Sequence, residues 1–195
     1  MGQQDKEEQA KTLIYKHMAY ATAAGMIPIP IADIAAVSAI HLDMIKQLAS
    51  LYNVDYNESS GKSLIAAVSG GLIGRLGASA IKLIPGIGTI LGGVSGAVIT
   101  AATTYALGQT FQWHFSTGGD LTNFNVNNAK KVFEQNLAEG EKVAKEMNVS
   151  ESAASPNHKT IFETIEKLAE LKNQGIISEE EFSEQKKRLL EQLHI

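Results

Sequence analysis

The sequence predicts an all-α protein, a helical bundle with a central glycine-rich αα-hairpin plus a small C-terminal helical hairpin. Three observations predict it. Apolar residues recur every three or four positions almost throughout, and β-branched residues do not alternate with polar ones as they would in strands. Prolines 28, 30, 85 and 156 fall between the periodic stretches. Residues 63–112 contain no carboxylate, only two cations, and ten of the 17 glycines. With 195 residues and 44% apolar content, the chain can pack one ordinary domain and a small appendage without disulfides, and it has no cysteine to form them.

The first helix is expected over about 6–25, because Pro28 and Pro30 push the residues before them out of the helical region. A second, over 31–52, places Ile34, Val37, Ile40, Met44, Leu48 and Leu51 on one stripe, with Asp33, Asp43, Lys46, Gln47 and Ser50 largely off it. A polar loop then leads into helices over 63–82 and 87–112, separated by Leu83-Ile84-Pro85-Gly86. Ser59 or Ser60 is the expected cap. Trp113-His114-Phe115 runs into a glycine-containing loop, and 126–147 reads as an amphipathic, charge-rich helix. The polar stretch at 148–159 is the expected linker between a glycine-rich helical domain, 1–147, and a C-terminal unit, 160–195.

Within the biased block, Gly88, Gly92 and Gly96 stand four apart, continued by Thr100, Thr104 and Gly108, while Ala66, Gly70, Gly74 and Ala78 form a similar row. Each row is one helical face bare of large side chains, on which another backbone can settle closely. Glycine disfavours a helix by roughly 1 kcal/mol relative to alanine, so close packing or an apolar solvent must compensate. Residues 87–108 carry no charge and would make about 33 Å of helix, enough to cross a bilayer core. Their seven Ile, Leu and Val residues supply little insertion energy, and Arg75 opposes insertion of 64–81. Arg75 and Lys82 suit anionic headgroups or a partner's carboxylates.

Gly61-Lys62-Ser63 ends like a nucleotide-binding P-loop, but Tyr56 stands where the first glycine is required, and a helical pattern precedes it in place of a strand. Neither a D-x-x-G nor an N-K-x-D motif follows. The five histidines, at 17, 41, 114, 158 and 194, include no pair with the spacing of a helical metal site. His41 and Asp43 come nearest, yet residues two apart on a helix point to different sides. No catalytic residue, cofactor or metal is expected. A net charge of -4 argues against nucleic acid, and the polar start MGQQDKEEQAK against a secretion signal.

The C-terminal stretch is more explicit. Gly175 stops one helix and Ser178 starts the next, with Ser178 and Glu181 forming a capping box. Ile165, Leu168 and Leu171 are expected to face Phe182, Leu189 and Leu190, and so short a hairpin must dock or self-associate. Together with Ile177 and Lys186, these residues resemble the short C-terminal domain family known as SHOCT, which implies an oligomerisation or interaction appendage.

Residues of about 17–120 resemble the bacterial helical domain of unknown function 697. The likeness rests on Ile27-Pro28-Ile29-Pro30-Ile31-Ala32-Asp33, Met44-Ile45, Leu51-Tyr52, Lys82 to Thr89, and Thr104-Tyr105-Ala106-Leu107-Gly108. It implies a module found with GTPases of the Era and Ras type and often predicted to be membranous. The expected protein is a non-enzymatic, membrane-associating and oligomerising interaction module, partner of a separate GTPase, in the cytoplasm or on the cytoplasmic face of the inner membrane. The alternatives are a soluble adaptor that binds a GTPase without lipid, and a pore former inserting 64–108.

Overall fold

A computed structural model describes residues 2–24, 32–69, 96–149 and 157–194, and shows the all-α architecture. Among the described residues there are seven α-helices and no strand: α1 (Gln3–Ala24), α2 (Ala32–Tyr52), α3 (Glu58–Val68), α4 (Gly96–Ser116), α5 (Val126–Glu146), α6 (His158–Asn173) and α7 (Glu179–Glu191). A 3-10 turn, Gln192–His194, follows.

Local chemistry sets the ends. Asn57, Asn125 and Asn157 cap α3, α5 and α6, each side-chain oxygen accepting a backbone N–H of the first turn at 2.9–3.0 Å. Asn53, Gly118 and Gly175 end α2, α4 and α6 in the left-handed region, with φ of 59, 86 and 72°. In each case the next residue donates its N–H back to a carbonyl five positions earlier, at 2.8–3.0 Å.

The start of α3 departs from expectation. Asn57, not Ser59 or Ser60, is the cap, and the helix begins at Glu58. An asparagine side chain reaches the Ser60 amide as well as a serine would, and the serines then become first-turn residues. Gly61-Lys62-Ser63 is therefore inside a helix, with the Gly61 N–H donated to the Asn57 carbonyl at 2.9 Å, so the tripeptide does not curl as a phosphate cradle. Tyr56 packs over Gly61, where a Cβ would stand 2.7 Å from the phenol oxygen.

The main core joins α1, α2, α4 and α5, with α3 against one side. Ile14, Met18, Met44, Leu48, Leu107, Phe111 and Phe133 are all buried within it. α4 lies at its centre, packed on α1, α2 and α5. A helix apolar all round belongs inside a bundle or a bilayer, and the packing assigns the charge-free run of α4 to the bundle. Thr100, Thr104 and Thr110 are buried at no cost in orphaned hydroxyls, because each donates to the carbonyl four residues earlier, at 2.7–3.1 Å. No helix among the described residues is long and apolar enough to cross a membrane.

Two glycines mark close helix contacts. A Cβ on Gly108 of α4 would stand 2.6 Å from the Ile14 side chain of α1, and one on Gly140 of α5 would stand 2.7 Å from the Ala102 carbonyl oxygen of α4. Gly96, in contrast, is exposed at the start of α4, with nothing within 4 Å of its Cβ position, so no described neighbour packs on it. The other ladder positions, Gly70, Gly74, Gly88 and Gly92, the cations Arg75 and Lys82, and the expected hairpin loop at 83–86 lie outside the described residues.

A second apolar cluster joins the end of α1 and the start of α2 to the C-terminal hairpin. Ala21, Ala24, Ala36 and Ile40 meet Ile161, Leu168, Leu171, Phe182 and Leu189. Leu168, Leu171, Phe182 and Leu189 are buried as expected, but Leu190 is only half-buried, one step round α7 from the cluster. The Ser178–Glu181 capping box is formed in both directions, at 3.1 and 2.8 Å.

Candidate functional site

The most concentrated chemistry among the described residues lies where the C-terminal hairpin meets α1 and α2. His17 sits in α1 amid Ile14, Met18 and Ala21, which places its ring on the buried face. Asp43 and Gln47 are one turn apart on α2. Lys167 and Glu170, one turn apart on α6, complete the group. His17 Nε2 and Asp43 Oδ2 are 2.9 Å apart, Gln47 Nε2 donates to the same oxygen at 2.7 Å, and Lys167 Nζ donates to it at 3.0 Å. Lys167 also pairs with Glu170 at 2.7 Å. Tyr20 lays its ring edge-on against His17, centroids 5.8 Å apart.

Burial decides how these groups behave. The Asp43 side chain is only 5% exposed and that of Lys167 14%. Burial pushes the Asp43 carboxyl upward, but the hydrogen bonds from His17 and Lys167 outweigh it and hold the group below its usual range. For Lys167, burial pulls downward, and the bonds to Glu170 and Asp43 hold the ammonium above its usual range. Both remain charged near neutrality, paired across the junction.

Both ring nitrogens of the cluster's histidine are engaged. His17 Nδ1 faces the Leu13 carbonyl at 2.8 Å while Nε2 faces Asp43, so neither is left to take a proton from a substrate. What the arrangement does is fix one register of α6 against α2. A shift of one residue along either helix would remove the ammonium from the carboxylate and leave it only the bonds from His17 and Gln47. Lys46 Nζ, which donates to Gln174 Oε1 at 2.9 Å, marks the same register at the surface.

Two other histidines are structural. His41 Nε2 lies 2.8 Å from the Thr104 hydroxyl, which itself donates to Thr100, so the imidazole donates from Nε2 and leaves Nδ1 bare and without a partner. Full burial, and then the nearby His17, push its pKa down to about 3. His114 Nε2 faces the Asp120 carbonyl at 2.9 Å, and its ring stands edge-on to Phe124, centroids 4.5 Å apart. A Cβ on Gly119 would collide with that ring. Beside the main cluster an open groove of about 760 Å³ is lined by Asp5, Glu8, Lys16, His17, Gln47 and Leu51 among others. Among the described residues no group of three or more His, Cys, Asp or Glu side chains could hold a metal ion.

Sequence reasoning placed Asp43 off the apolar stripe of α2, whereas it is buried at 4% exposure. The reason is that α2 is covered on two sides, by the bundle and by the hairpin. The pairs His17–Asp43 and Asp43–Lys167 are separated too far in sequence for spacing to link them. The available signal was a carboxylate in the middle of a long apolar helix, and a lone lysine between Ile165 and Leu168.

Two family profiles match separate parts of the chain. The profile described as "Domain of unknown function (DUF697)" matches residues 2–142, and the one described as "Short C-terminal domain" (SHOCT) matches 163–190. Magnetosome membrane protein 22 of Magnetospirillum gryphiswaldense is 39% identical over 151 residues, covering 75% of this chain and 77% of that protein. No solved structure matches. The first profile covers α1 to α4 and most of α5, and the second most of α6 and α7, so the ionic cluster sits where the two matched regions touch. The chain belongs to the DUF697 family and carries a short C-terminal domain docked on its first two helices.

Proposed function

We propose that this protein is a non-enzymatic helical interaction module that associates with a membrane surface, oligomerises and serves a separate GTPase as partner. The observation that carries the membrane part is the 39% identity to a magnetosome membrane protein over three-quarters of this chain. Contact is peripheral in this reading, on the cytoplasmic face of the inner membrane. Trp113, 40% exposed on α4, and Phe162, 50% exposed on α6, are large apolar side chains available to a lipid interface. Glycine rows on residues 70–92 and the cations Arg75 and Lys82 belong to the same reading. The GTPase follows from the family resemblance.

Flotation tests it. The full chain is mixed with vesicles of neutral and of anionic lipid and centrifuged through a density step. The emission of Trp113, the one tryptophan, is recorded in parallel. Flotation with anionic vesicles and a blue shift are expected. Complete recovery at the bottom with unchanged emission refutes lipid association. A soluble adaptor that binds a GTPase without lipid is the second reading, and the packing of the apolar run of α4 inside the bundle favours it. Monodisperse helical protein by light scattering and circular dichroism without detergent, combined with no flotation, would select it.

A further inference from the structure

Trp113 and Phe162 are the exposed large apolar side chains among the described residues, and their surroundings differ. Phe162 stands alone. Its neighbours one turn away on α6 are Lys159 and Glu166, both exposed, so covering the ring would strip water from charges as well. A single apolar residue of that kind is ordinary on a protein surface. Trp113 belongs to a strip. α4 carries no Asp, Glu, Lys or Arg, and where its second half reaches the surface it shows Tyr105, Gln109, Gln112, Trp113 and Ser116, spaced so that they share one face. Tyr15 of α1 widens the strip, its ring centroid 6.4 Å from that of Tyr105, and Lys11 borders it with Nζ 5.6 Å from the Tyr15 ring. The neighbouring α5 instead exposes Lys130, Lys131, Glu134 and Lys142.

We propose that this strip, from Tyr15 across Tyr105 and Gln109 to Trp113, is the surface that lies on the bilayer, with its rings at the depth of the lipid headgroups. The proposal rests on the lipid part of the reading above and selects the face that makes the contact. Tyrosine and tryptophan have an apolar body and a polar tip, which suits the boundary between hydrocarbon and water. The glutamine amides can hydrogen-bond headgroups, and α4 brings no fixed charge that would lose its water there. At the border, the Lys11 ammonium can meet lipid phosphates. Contact needs no opening of the fold. Tyr15 is two residues from His17, so it leaves α1 on the side away from the ionic cluster and the docked hairpin.

Quenching by brominated lipid tests it, because the full-length chain has a single tryptophan. The parent reports from position 113, and two Trp113→Phe chains report from elsewhere through Gln109→Trp or Phe162→Trp. Each is added to vesicles of phosphatidylcholine and phosphatidylglycerol, with and without bromine on the acyl chains, after circular dichroism has shown equal helicity. All three are expected to float, with most of the emission lost at 113 and 109 and none at 162. A Trp113→Gln chain should lose most of its flotation. Quenching at 162, or at none of the three sites, in chains that float overturns this choice of face and leaves the lipid reading standing, as does undiminished flotation of Trp113→Gln. No flotation by any chain overturns both. A blue shift of Trp113 that needs no lipid and grows with protein concentration assigns the strip to a contact between protein surfaces, and likewise overturns the proposal.

Discussion

Lys167→Met is the most informative single change, because methionine keeps the stem of the side chain while removing the charge that reaches Asp43. Breaking a buried ion pair by deleting one partner costs roughly 3–5 kcal/mol. Here the carboxylate keeps two donors on the same oxygen, His17 at 2.9 Å and Gln47 at 2.7 Å, so it is not wholly uncompensated. Lys167 also retains 14% exposure, which screens part of the interaction. We therefore expect a loss of about 2–3 kcal/mol. Asp43→Asn should cost a similar amount, and the double variant less than the sum by about 1–2 kcal/mol, since both changes remove one interaction. Urea unfolding gives the energies, and amide exchange locates them. The amides of α6 and α7 should lose protection first, with those of α4 and α5 little changed. A Lys167→Met protein within about 0.5 kcal/mol of the parent, or one whose α4 and α5 amides open equally, refutes the view that this pair holds the hairpin down.

Burial keeps His41 neutral, with a pKa near 3 in the folded chain against 6.5 unfolded, so the unfolded state binds the extra proton and stability falls as the pH drops below 6.5 towards 3. Between pH 7 and 5 this amounts to about 2 kcal/mol, measured as a shift in urea midpoint that His41→Gln should largely remove. Asp43 adds nothing in that window, because its depressed carboxyl titrates below 3.8. Gly140→Ala gains about 1 kcal/mol of helix propensity but drives a Cβ to 2.7 Å from the Ala102 carbonyl, a backbone atom that cannot rotate away, so a net loss of about 1–2 kcal/mol is expected in thermal unfolding. The same change at exposed Gly96 should be neutral or stabilising. Gly175→Ala meets no neighbour, yet its φ of 72° costs a side chain about 1 kcal/mol, and α6 and α7 amides should report it.

Much of the local grammar was legible in the sequence, because it is written within a few residues. The Gly175 stop and the Ser178–Glu181 box depend on neighbours two to five positions away, and the periodicity of α2 and α5 reports which stripe is apolar. What escaped was everything that depends on a distant element. Asp43 reads as a solvent residue in a helix with one buried face, and becomes a buried ion only when a hairpin more than a hundred residues later covers its other face. His17 and Lys167 are unremarkable alone, and nothing in either local stretch states that they converge on one oxygen. The start of α3 was missed for a smaller reason, since asparagine and serine are interchangeable as caps and pattern alone does not choose between positions 57, 59 and 60.

The apolar, charge-free run that reads as a membrane element from composition has a second physical meaning once α4 is placed. Bilayer interior and bundle interior impose the same requirement on a helix, that every face be apolar or internally satisfied. Thr100, Thr104 and Thr110 meet it by returning their hydroxyls to the helix, a device equally serviceable in lipid. What separates the two settings is the partner of the polar atoms that remain. His41 donates to Thr104 from a neighbouring helix, and Gly108 and Gly140 bring α1 and α5 close to α4 itself, so this part of the run has protein on the sides where a spanning helix would need lipid. A relative named for a membrane and a central helix enclosed by its own bundle are compatible where the lipid contact is made outside the enclosed part of α4, which is why Trp113 emission, not insertion of α4, is the measurement that bears on it.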